Sequence, residues 1–152
     1  MIHQLKTEQF LNSNIDHVWD FMSSPRNLKK ITPPYMGFDI TSTDLPDKMY
    51  AGMIITYKVS PILSIPTTWV TEITHVAEKK FFIDEQRVGP YTMWHHQHFF
   101  KKYKNGVLMN DIITYKAPLG PLGVLANYLF ISKKLKSIFE YRYKTLNKIF
   151  NS

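Results

Sequence analysis

Residues 91–117 have the sequence YTMWHHQHFFKKYKNGVLMNDIITYKA, in which two runs of alternating side chains flank an Asn-Gly dipeptide. Alternation with a period of two is typical of a strand with one buried face, and Asn-Gly between two such runs is a strong signal for a tight hairpin turn. The stretch therefore predicts an antiparallel hairpin with strands over residues 91–103 and 107–116 and a turn at Asn105-Gly106.

Four more strands are predicted before this hairpin, over residues 38–43, 53–60, 67–76 and 81–88. The segments that separate the strands are too short for parallel crossovers, which need a dozen or more residues. The six strands should therefore form an antiparallel meander. A further strand over residues 2–11 precedes them.

Helical patterns lie between the first strand and the meander. Residues 13–14 offer a serine or asparagine cap for a first helix, and a second short helix restarts at Ser24-Pro25 and ends at Pro33-Pro34. The apolar positions of the first helix follow the spacing of one helix face.

A long C-terminal helix is predicted after a connection at residues 118–123. Its apolar face is expected to consist of Leu135, Ile138, Phe139, Leu146 and Ile149. A sheet that buries one face against one long helix gives a two-layer α+β architecture. We therefore expect a single domain over residues 1–152 in which a curved antiparallel sheet, in the order β-α-α-β6-α, wraps around the C-terminal helix.

Composition limits the function classes. The chain has no cysteine, which excludes disulfides, thiolate metal sites and a cysteine nucleophile, and it has neither a transmembrane run nor a signal-peptide core, so a cytoplasmic location is expected. Its net charge is +7, but the lysines form short clusters at predicted element ends or on the polar side of a helix. This pattern favours a solvated basic surface and no nucleic-acid partner. Binding to RNA or to an anionic membrane is the alternative, and it would weaken steeply with salt.

Several short strings occur in a recognisable order. They are Ile31-Thr32-Pro33-Pro34, Phe82-x-Asp84-x-Gln86, Gly89-Pro90 followed by Trp94-x-His96-x-His98-x-Phe100, Asp111-x-Ile113-x-Tyr115, Pro118-x-Gly120 and Phe139-x-Tyr141-Arg142.

Together these strings resemble the START/polyketide-cyclase helix-grip superfamily (SRPBCC), and more narrowly its bacterial cell-division-inhibitor-like ligand-binding branch. The resemblance covers essentially the whole chain and implies a helix-grip fold with an internal cavity. Relatives of this branch are sometimes joined to nucleotide-sugar-epimerase-like domains, which makes an epimerase-like protein a candidate partner. Function inferred from a fold is analogy.

Asp111 lies in the middle of the apolar face of the strand at residues 107–116, together with Ile113 and Tyr115. A buried carboxylate without a partner costs several kcal/mol, so Asp111 should be paired, protonated or hydrated. Arg142 falls on the apolar stripe of the C-terminal helix and is expected to face Asp111 or Asp84. The alternative is that Arg142 extends to the edge of the protein, as long side chains commonly do.

Trp94, His96, His98 and Phe100 share one face of their strand, but periodicity does not say which face is buried. The family resemblance favours the face with Trp94, His96, His98 and Phe100 as the buried one. Two inward imidazoles could orient a ligand carbonyl or hydroxyl group. The His-x-His pair is also compatible with a metal site that uses an aspartate as third ligand, although no distinctive third-ligand spacing is visible and no metal is expected.

The favoured function is the binding of a small apolar or amphipathic molecule, lipid-like or polyketide-like, in an internal cavity. The alternative is a polyketide cyclase or dehydratase in which His96 or His98 acts with Asp111. No phosphate loop, nucleophile elbow or cofactor fingerprint is present, so no cofactor is expected and no catalytic residue is assigned. The residues expected to line the ligand site are Tyr57, Trp69, Asp84, Gln86, Trp94, His96, His98, Asp111, Tyr115 and Arg142.

Alternate connections of a meander lie at the same end of the sheet, which brings together the connections at residues 61–66, Gly89-Pro90 and residues 118–123. Two of the three carry apolar side chains. We expect these connections to rim the entrance to the cavity; the alternative is that they only cover the end of the core. The apolar residues concerned are Ile62, Leu63, Ile65, Leu119 and Leu122.

Overall fold

Seven strands form a single antiparallel sheet in the order β1-β7-β6-β5-β4-β3-β2 in the computed structural model, which describes residues 1–60 and 65–152. The predicted α+β helix-grip architecture is confirmed, since a long C-terminal helix packs against the curved sheet. The strands are β1 (His3–Leu11), β2 (Asp39–Ile40), β3 (Met53–Val59), β4 (Thr67–Ala77), β5 (Phe81–Val88), β6 (Met93–Tyr103) and β7 (Gly106–Lys116).

Helical segments stand before and after the meander. Helix α1 (Ile15–Met22) is capped by the Asn14 side chain, which accepts a hydrogen bond from the His17 backbone N–H. Two 3₁₀ helices follow, at Pro25–Ile31 and Pro34–Met36. At the other end of the chain, helix α2 (Gly120–Ala126), a π-helical turn (Asn127–Ile131) and helix α3 (Ser132–Phe150) follow one another without a break.

The β6–β7 hairpin turns one residue earlier than predicted. Tyr103 pairs with Gly106, so the two loop residues are Lys104 and Asn105, and Lys104 takes the positive φ of 51° that this turn requires. Gly106 instead starts β7 at a place where a Cβ atom would overlap with the Leu11 carbonyl oxygen and with the adjacent phenylalanine ring. The glycine is therefore needed for close packing and not for the turn itself.

Strand β2 is much shorter than the predicted strand over residues 38–43. The backbone N–H groups of Thr41 and Ser42 both donate to the Thr56 carbonyl oxygen, and the Ser42 hydroxyl accepts the Thr56 N–H at 2.6 Å. The Ser42 hydroxyl thus takes the place of the backbone carbonyl group that would otherwise accept this hydrogen bond from β3. Because serine can satisfy backbone groups in this way, the ladder ends after Ile40.

The buried stripe of α3 differs from the predicted one at its C-terminal end. Leu135, Phe139 and Leu146 are buried as expected, but Ile149 is 37% exposed and Phe150 is buried in its place. Arg142 also belongs to this stripe. Its successive members are four, three, four and four residues apart: Leu135, Phe139, Arg142, Leu146 and Phe150.

The helical C-terminal segment begins earlier than predicted. Residues 118–123 were expected to be a connection, but α2 starts at Gly120 with Pro121 in its first turn, a position where the missing N–H of proline is harmless. Gly123, Asn127 and Ile131 are buried and continue the α3 stripe back at four-residue intervals. The sequence lacks a polar cap at this end, which is why the helix start could not be recognised.

Candidate functional site

A cavity of about 150 Å³ lies between the sheet, helix α3 and the segment that contains the two 3₁₀ helices. The inward faces of β3 to β6 supply one wall, and Leu135, Ile138, Phe139 and Arg142 of α3 supply another. The wall opposite the sheet is completed by Phe21, Met22, Ser24, Asn27, Leu28, Ile31, Thr32, Met36, Phe38 and Met49.

Aromatic side chains form one end of the cavity. The Trp69 ring lies 5.3 Å from the Trp94 ring, 5.7 Å from Tyr91 and 6.0 Å from Tyr57, measured between centroids. Tyr57 shares a 3.0 Å hydrogen bond with the Thr71 hydroxyl, and burial raises its pKa, so the phenol is neutral. The indole Nε1 of Trp69 is buried and has no hydrogen-bond partner among the described residues. An unpaired buried hydrogen-bond donor is rare, so this indole N–H is a feature that a functional account has to explain.

A charged cluster forms the other part of the cavity wall, and strand register assembles it. Asp84 of β5 pairs across the sheet with His96 of β6, and His98 of β6 pairs with Asp111 of β7. All four side chains point to the inner face because they occupy equivalent positions of the alternating pattern. The question that periodicity left open is thereby answered: the face with Trp94, His96, His98 and Phe100 is the inner one.

The two imidazoles lie between the two carboxylates. His98 Nδ1 is 2.8 Å from Asp111 Oδ1, and His98 Nε2 is 2.8 Å from Asp84 Oδ2. His96 Nε2 is 3.2 Å from Asp111 Oδ1, and its Nδ1 is 3.6 Å from Asp84 Oδ2. The ring centroids of the two histidines are only 3.7 Å apart. Each carboxylate therefore faces one nitrogen of each imidazole.

Arg142 reaches this cluster from α3. Its Nη2 donates to Asp111 Oδ1 at 3.4 Å and lies 3.2 Å from His98 Nδ1, while its Nε lies 3.4 Å from Asp111 Oδ2 without hydrogen-bond geometry. The side chain is 7% exposed. The expected pairing with Asp111 is thus found in the structure, and the alternative of an arginine extended to the protein edge is wrong.

Burial and pairing act in opposite directions on the pKa values of this cluster. Burial alone would raise the pKa of Asp111, but Arg142 and the hydrogen bonds from both histidines hold that pKa well below its usual range. Burial would likewise raise the pKa of Asp84, and the two histidines lower it. Burial disfavours the charged form of His98, yet its bonds to both carboxylates raise its pKa overall.

His96 behaves differently. Burial and the neighbouring charge of His98 lower its pKa to about 4. With His98 protonated, the state that its raised pKa favours, the cluster holds two anions, Asp84 and Asp111, two cations, His98 and Arg142, and the neutral imidazole of His96. Its formal charges cancel, which is the condition under which so many ionisable groups can be buried together.

Seven of the ten residues predicted for the site line the cavity: Tyr57, Trp69, Asp84, Trp94, His96, His98 and Arg142. The other three support it from behind. Gln86 donates to the Tyr91 carbonyl oxygen at 2.7 Å and accepts the Tyr91 N–H at 3.2 Å, Asp111 is 1% exposed behind the histidines, and Tyr115 packs against Tyr91 with centroids 5.8 Å apart.

Sequence reasoning missed the wall opposite the sheet and also missed Thr71 and Tyr91. Thr71 could have been recognised, because it is the polar residue between Trp69 and Ile73 on the inner face of β4. The 3₁₀ helix Pro25–Ile31 is too short and too irregular for its buried side to be read from periodicity.

Two of the connections predicted to rim the cavity lie next to each other, but the apolar residues described in the predicted rim do not line the cavity. Thr92 donates its N–H to the Lys116 carbonyl oxygen at 2.9 Å, which places the β5–β6 and β7–α2 connections side by side. Leu119, Leu122 and Ile65 are exposed and are not among the lining residues, so for them the prediction is wrong. The prediction for Ile62 and Leu63 concerns residues 61–64, which lie outside the described residues.

Asp84, His96 and His98 also form a set of potential metal ligands, since one donor atom of each lies within 4.8 Å of the others. Two imidazoles and a carboxylate suit a divalent transition metal. In the arrangement found here these same atoms face one another, and a cation would have to displace the proton of His98 in the presence of Arg142.

Similarity to known structures supports the fold. The chain matches the KanY protein with 15% identity and a TM-score of 0.74 over 100% of this chain and 99% of that one. It matches a START superfamily protein from Mycobacterium smegmatis with 12% identity and a TM-score of 0.71, covering 98% and 97% of the two chains. It also matches a nucleoside-diphosphate sugar epimerase from Corynebacterium glutamicum with 20% identity and a TM-score of 0.66, over 95% of this chain but 28% of that one.

No family model matches the sequence, and no curated protein does so. At these identities the neighbours establish the fold alone: the chain has the helix-grip fold of START-like proteins. Among the helices that the structure describes, none is long and apolar enough to cross a membrane.

The pairing of Asp111 with Arg142 can be measured with a double-mutant cycle. We expect Asp111→Asn and Arg142→Met each to lower the free energy of unfolding by about 3–5 kcal/mol, because each removes one member of a buried ion pair. The double variant should lose less than the sum, with a coupling energy of about 1–3 kcal/mol in urea unfolding. Lys144→Met, at an exposed position of the same helix, is the control. Simple additivity would contradict the pairing.

His96 should make the protein less stable as the pH falls from 6.5 to about 5. The unfolded chain takes up a proton on this residue near pH 6.5, whereas the folded protein, with Asp84, His98, Asp111 and Arg142 around the imidazole, does so only near pH 4. The unfolded state thus binds more protons in this window. His98 and the aspartates do not cancel the effect, because a raised histidine pKa contributes fully below 6.5 and the lowered aspartate pKa values matter below about 4.

The expected slope is about 1 kcal/mol per pH unit in urea unfolding, and His96→Gln should remove it. His75→Gln, at an exposed histidine outside the cluster, is the control. An unaltered slope in the His96 variant would show that His96 is already charged in the folded protein.

Proposed function

We propose that the protein binds a small, mainly apolar molecule in the cavity between the sheet and α3. The observation that carries the proposal is a mainly apolar cavity of about 150 Å³ whose aromatic lining includes Trp69, and the buried Nε1–H of this residue has no hydrogen-bond partner among the described residues. Ligand sites are typically concave, lined by apolar and aromatic side chains, and equipped with a few polar groups that orient the ligand. START-like neighbours are consistent with this function through their fold only.

The size of the cavity limits the ligand. A dry apolar cavity of roughly 150 Å³ accommodates a molecule of about the size of benzene. The shape described here therefore favours a single-ring compound or a short aliphatic chain. A larger lipid-like or polyketide-like ligand would require displacement of the 3₁₀ helix Pro25–Ile31, which forms the wall that is not tied into the sheet.

The polar groups favour a neutral ligand with a hydrogen-bond acceptor. When His98 is protonated, the formal charges of Asp84, His98, Asp111 and Arg142 cancel within the cluster, so the protein then offers no excess charge for a charged ligand to neutralise. Trp69 Nε1–H can only donate. A carbonyl, ether or hydroxyl oxygen on an apolar ring satisfies this donor and leaves the cluster undisturbed.

Filling the cavity should abolish binding. Ile55 is buried and lines the cavity, whereas the neighbouring Ile54 is 48% exposed on the other face of β3. We expect single-ring ketones and phenols to raise the apparent stability of the wild type, by about 2.7 kcal/mol at a hundredfold excess over the dissociation constant. Ile55→Phe should lose this shift and Ile54→Phe should keep it, as measured by thermal unfolding and calorimetry.

Trp69→Phe provides the second comparison. The variant should lose its preference for a ring ketone over the hydrocarbon of the same shape, because the donor that recognises the oxygen is gone. If no compound binds the wild type, or if Ile55→Phe binds as well as Ile54→Phe, the cavity is not the binding site.

An enzyme is the second candidate, and the neutral state of His96 favours it. An imidazole whose pKa is lowered to about 4 is available as a proton acceptor at neutral pH, and it lines the cavity beside Asp84. A cyclase or dehydratase that uses this histidine would convert a bound polyketide-like compound, with His96→Gln abolishing turnover but retaining binding. Mass spectrometry of incubated ligands tests this, and recovery of every bound compound unchanged argues for a binding protein.

The branch of the family and the protein partner that the sequence predicts are also part of the proposal. We infer a place in the cell-division-inhibitor-like branch from the order of the sequence strings, and an epimerase-like partner from the same resemblance; the match to part of an epimerase chain is one of fold.

A further inference from the structure

Six large apolar side chains are exposed to solvent within twelve residues at the start of the C-terminal helical segment. Leu119, Leu122, Leu125, Tyr128, Leu129 and Phe130, which we call the apolar patch, are between 42% and 78% exposed. Soluble surfaces rarely gather so many large apolar side chains in one place unless the surface binds something.

The rest of the same helical segment shows that this exposure is not a general feature of the fold. The buried stripe of Gly123, Asn127 and Ile131 already provides the contact with the protein, and it continues into α3. In α3 the opposite side carries Lys133, Lys136 and other charged residues, as a solvent-facing helix should. The apolar patch therefore replaces the polar face that this helical segment needs in water.

The charges next to the apolar patch identify the chemistry of its partner. Lys133 and Lys136 are exposed at helical spacings from Leu129, and Lys134 Nζ lies 3.9 Å above the ring of Tyr35, which is itself exposed. No aspartate or glutamate occurs between Asp111 and Glu140. An apolar helix face bordered by lysines and tyrosine, without acidic residues, matches the interface of an anionic bilayer.

We propose that the apolar patch docks the protein reversibly on anionic membrane surfaces. Residues 120–131 would lie in the interface plane with the apolar patch among the acyl chains, and Lys133 and Lys136 would contact lipid phosphates. A second copy of the chain is a poorer partner, because each copy carries a net charge of +7 and would present its own lysines. The proposal does not depend on the cavity ligand.

Vesicle flotation tests the membrane proposal. One set of vesicles consists of phosphatidylcholine alone, and the other also contains about one third phosphatidylglycerol. The wild type should bind the anionic vesicles and lose binding as salt is raised. Leu122→Glu/Leu125→Glu should weaken binding by about tenfold or more, because it removes apolar contact and adds like charge. Ile54→Glu/Val88→Glu makes the same change in net charge at two exposed positions outside the apolar patch and should weaken binding less.

Lysine variants separate the electrostatic contribution. Lys133→Gln and Lys136→Gln should each cost about fivefold in vesicle affinity, and Lys144→Gln and Lys148→Gln, at exposed positions farther along α3, should cost less. Ile55→Phe fills the proposed ligand cavity and should float like the wild type, so failure of the ligand proposal does not affect this test.

Three outcomes would overturn the proposal. The first is the absence of binding to anionic vesicles by the folded wild type. The second is equal binding by Leu122→Glu/Leu125→Glu, as checked against unchanged unfolding midpoints. The third is a dimer in light scattering that only this variant dissociates, with no vesicle binding, which would make the apolar patch a contact between copies.

Discussion

The structure depends on how the Asp111 carboxylate is satisfied inside the protein. Asp111 is 1% exposed, and an unpaired carboxylate at this position would cost several kcal/mol. Its Oδ1 atom faces donors on His96, His98 and Arg142. Two of these donors come from the adjacent strand and one from α3, so a single residue constrains both which face of β6 is buried and how α3 is rotated against the sheet.

The same constraint shapes the cavity. Because each carboxylate of the cluster faces hydrogen-bond donors within it, the cluster can line an apolar cavity with its charges paired internally. In the proposed ligand site, the aromatic end around Trp69 would distinguish one ligand from another. The two parts adjoin on β6, where Trp94 lies next to His96, but Tyr57 and Trp69 belong to β3 and β4, and the other charged side chains belong to β5, β6, β7 and α3. Affinity would come from the apolar wall and orientation from one donor.

Sequence patterns predicted those parts of the fold in which local and tertiary preferences agree. The alternation in β7 and β6, the meander order and the position of Arg142 on the α3 stripe all follow from periodicity and from the cost of burying charge. The extent of β2, the turn at Lys104 and the early start of α2 did not follow, because they depend on a serine hydroxyl, on a close contact with β1 and on an uncapped helix end. Such details are decided by tertiary contacts that no periodicity records.

Apolar residues illustrate the limit of sequence reasoning most clearly. Ile55 and Ile131 are buried, whereas Ile54 and Phe130, their neighbours in sequence, are exposed to solvent. In β3 the alternation of side chains distinguishes the buried Ile55 from the exposed Ile54. Residues 119–131 are almost uniformly apolar, so helical periodicity does not distinguish an inner face from an outer face there. The sequence therefore shows that this segment is apolar, but it does not show which of its side chains are buried against the protein. Gly123, Asn127 and Ile131 pack against the protein, so the remaining apolar side chains of this segment face outward. The lysines that follow the segment favour an anionic partner for this surface.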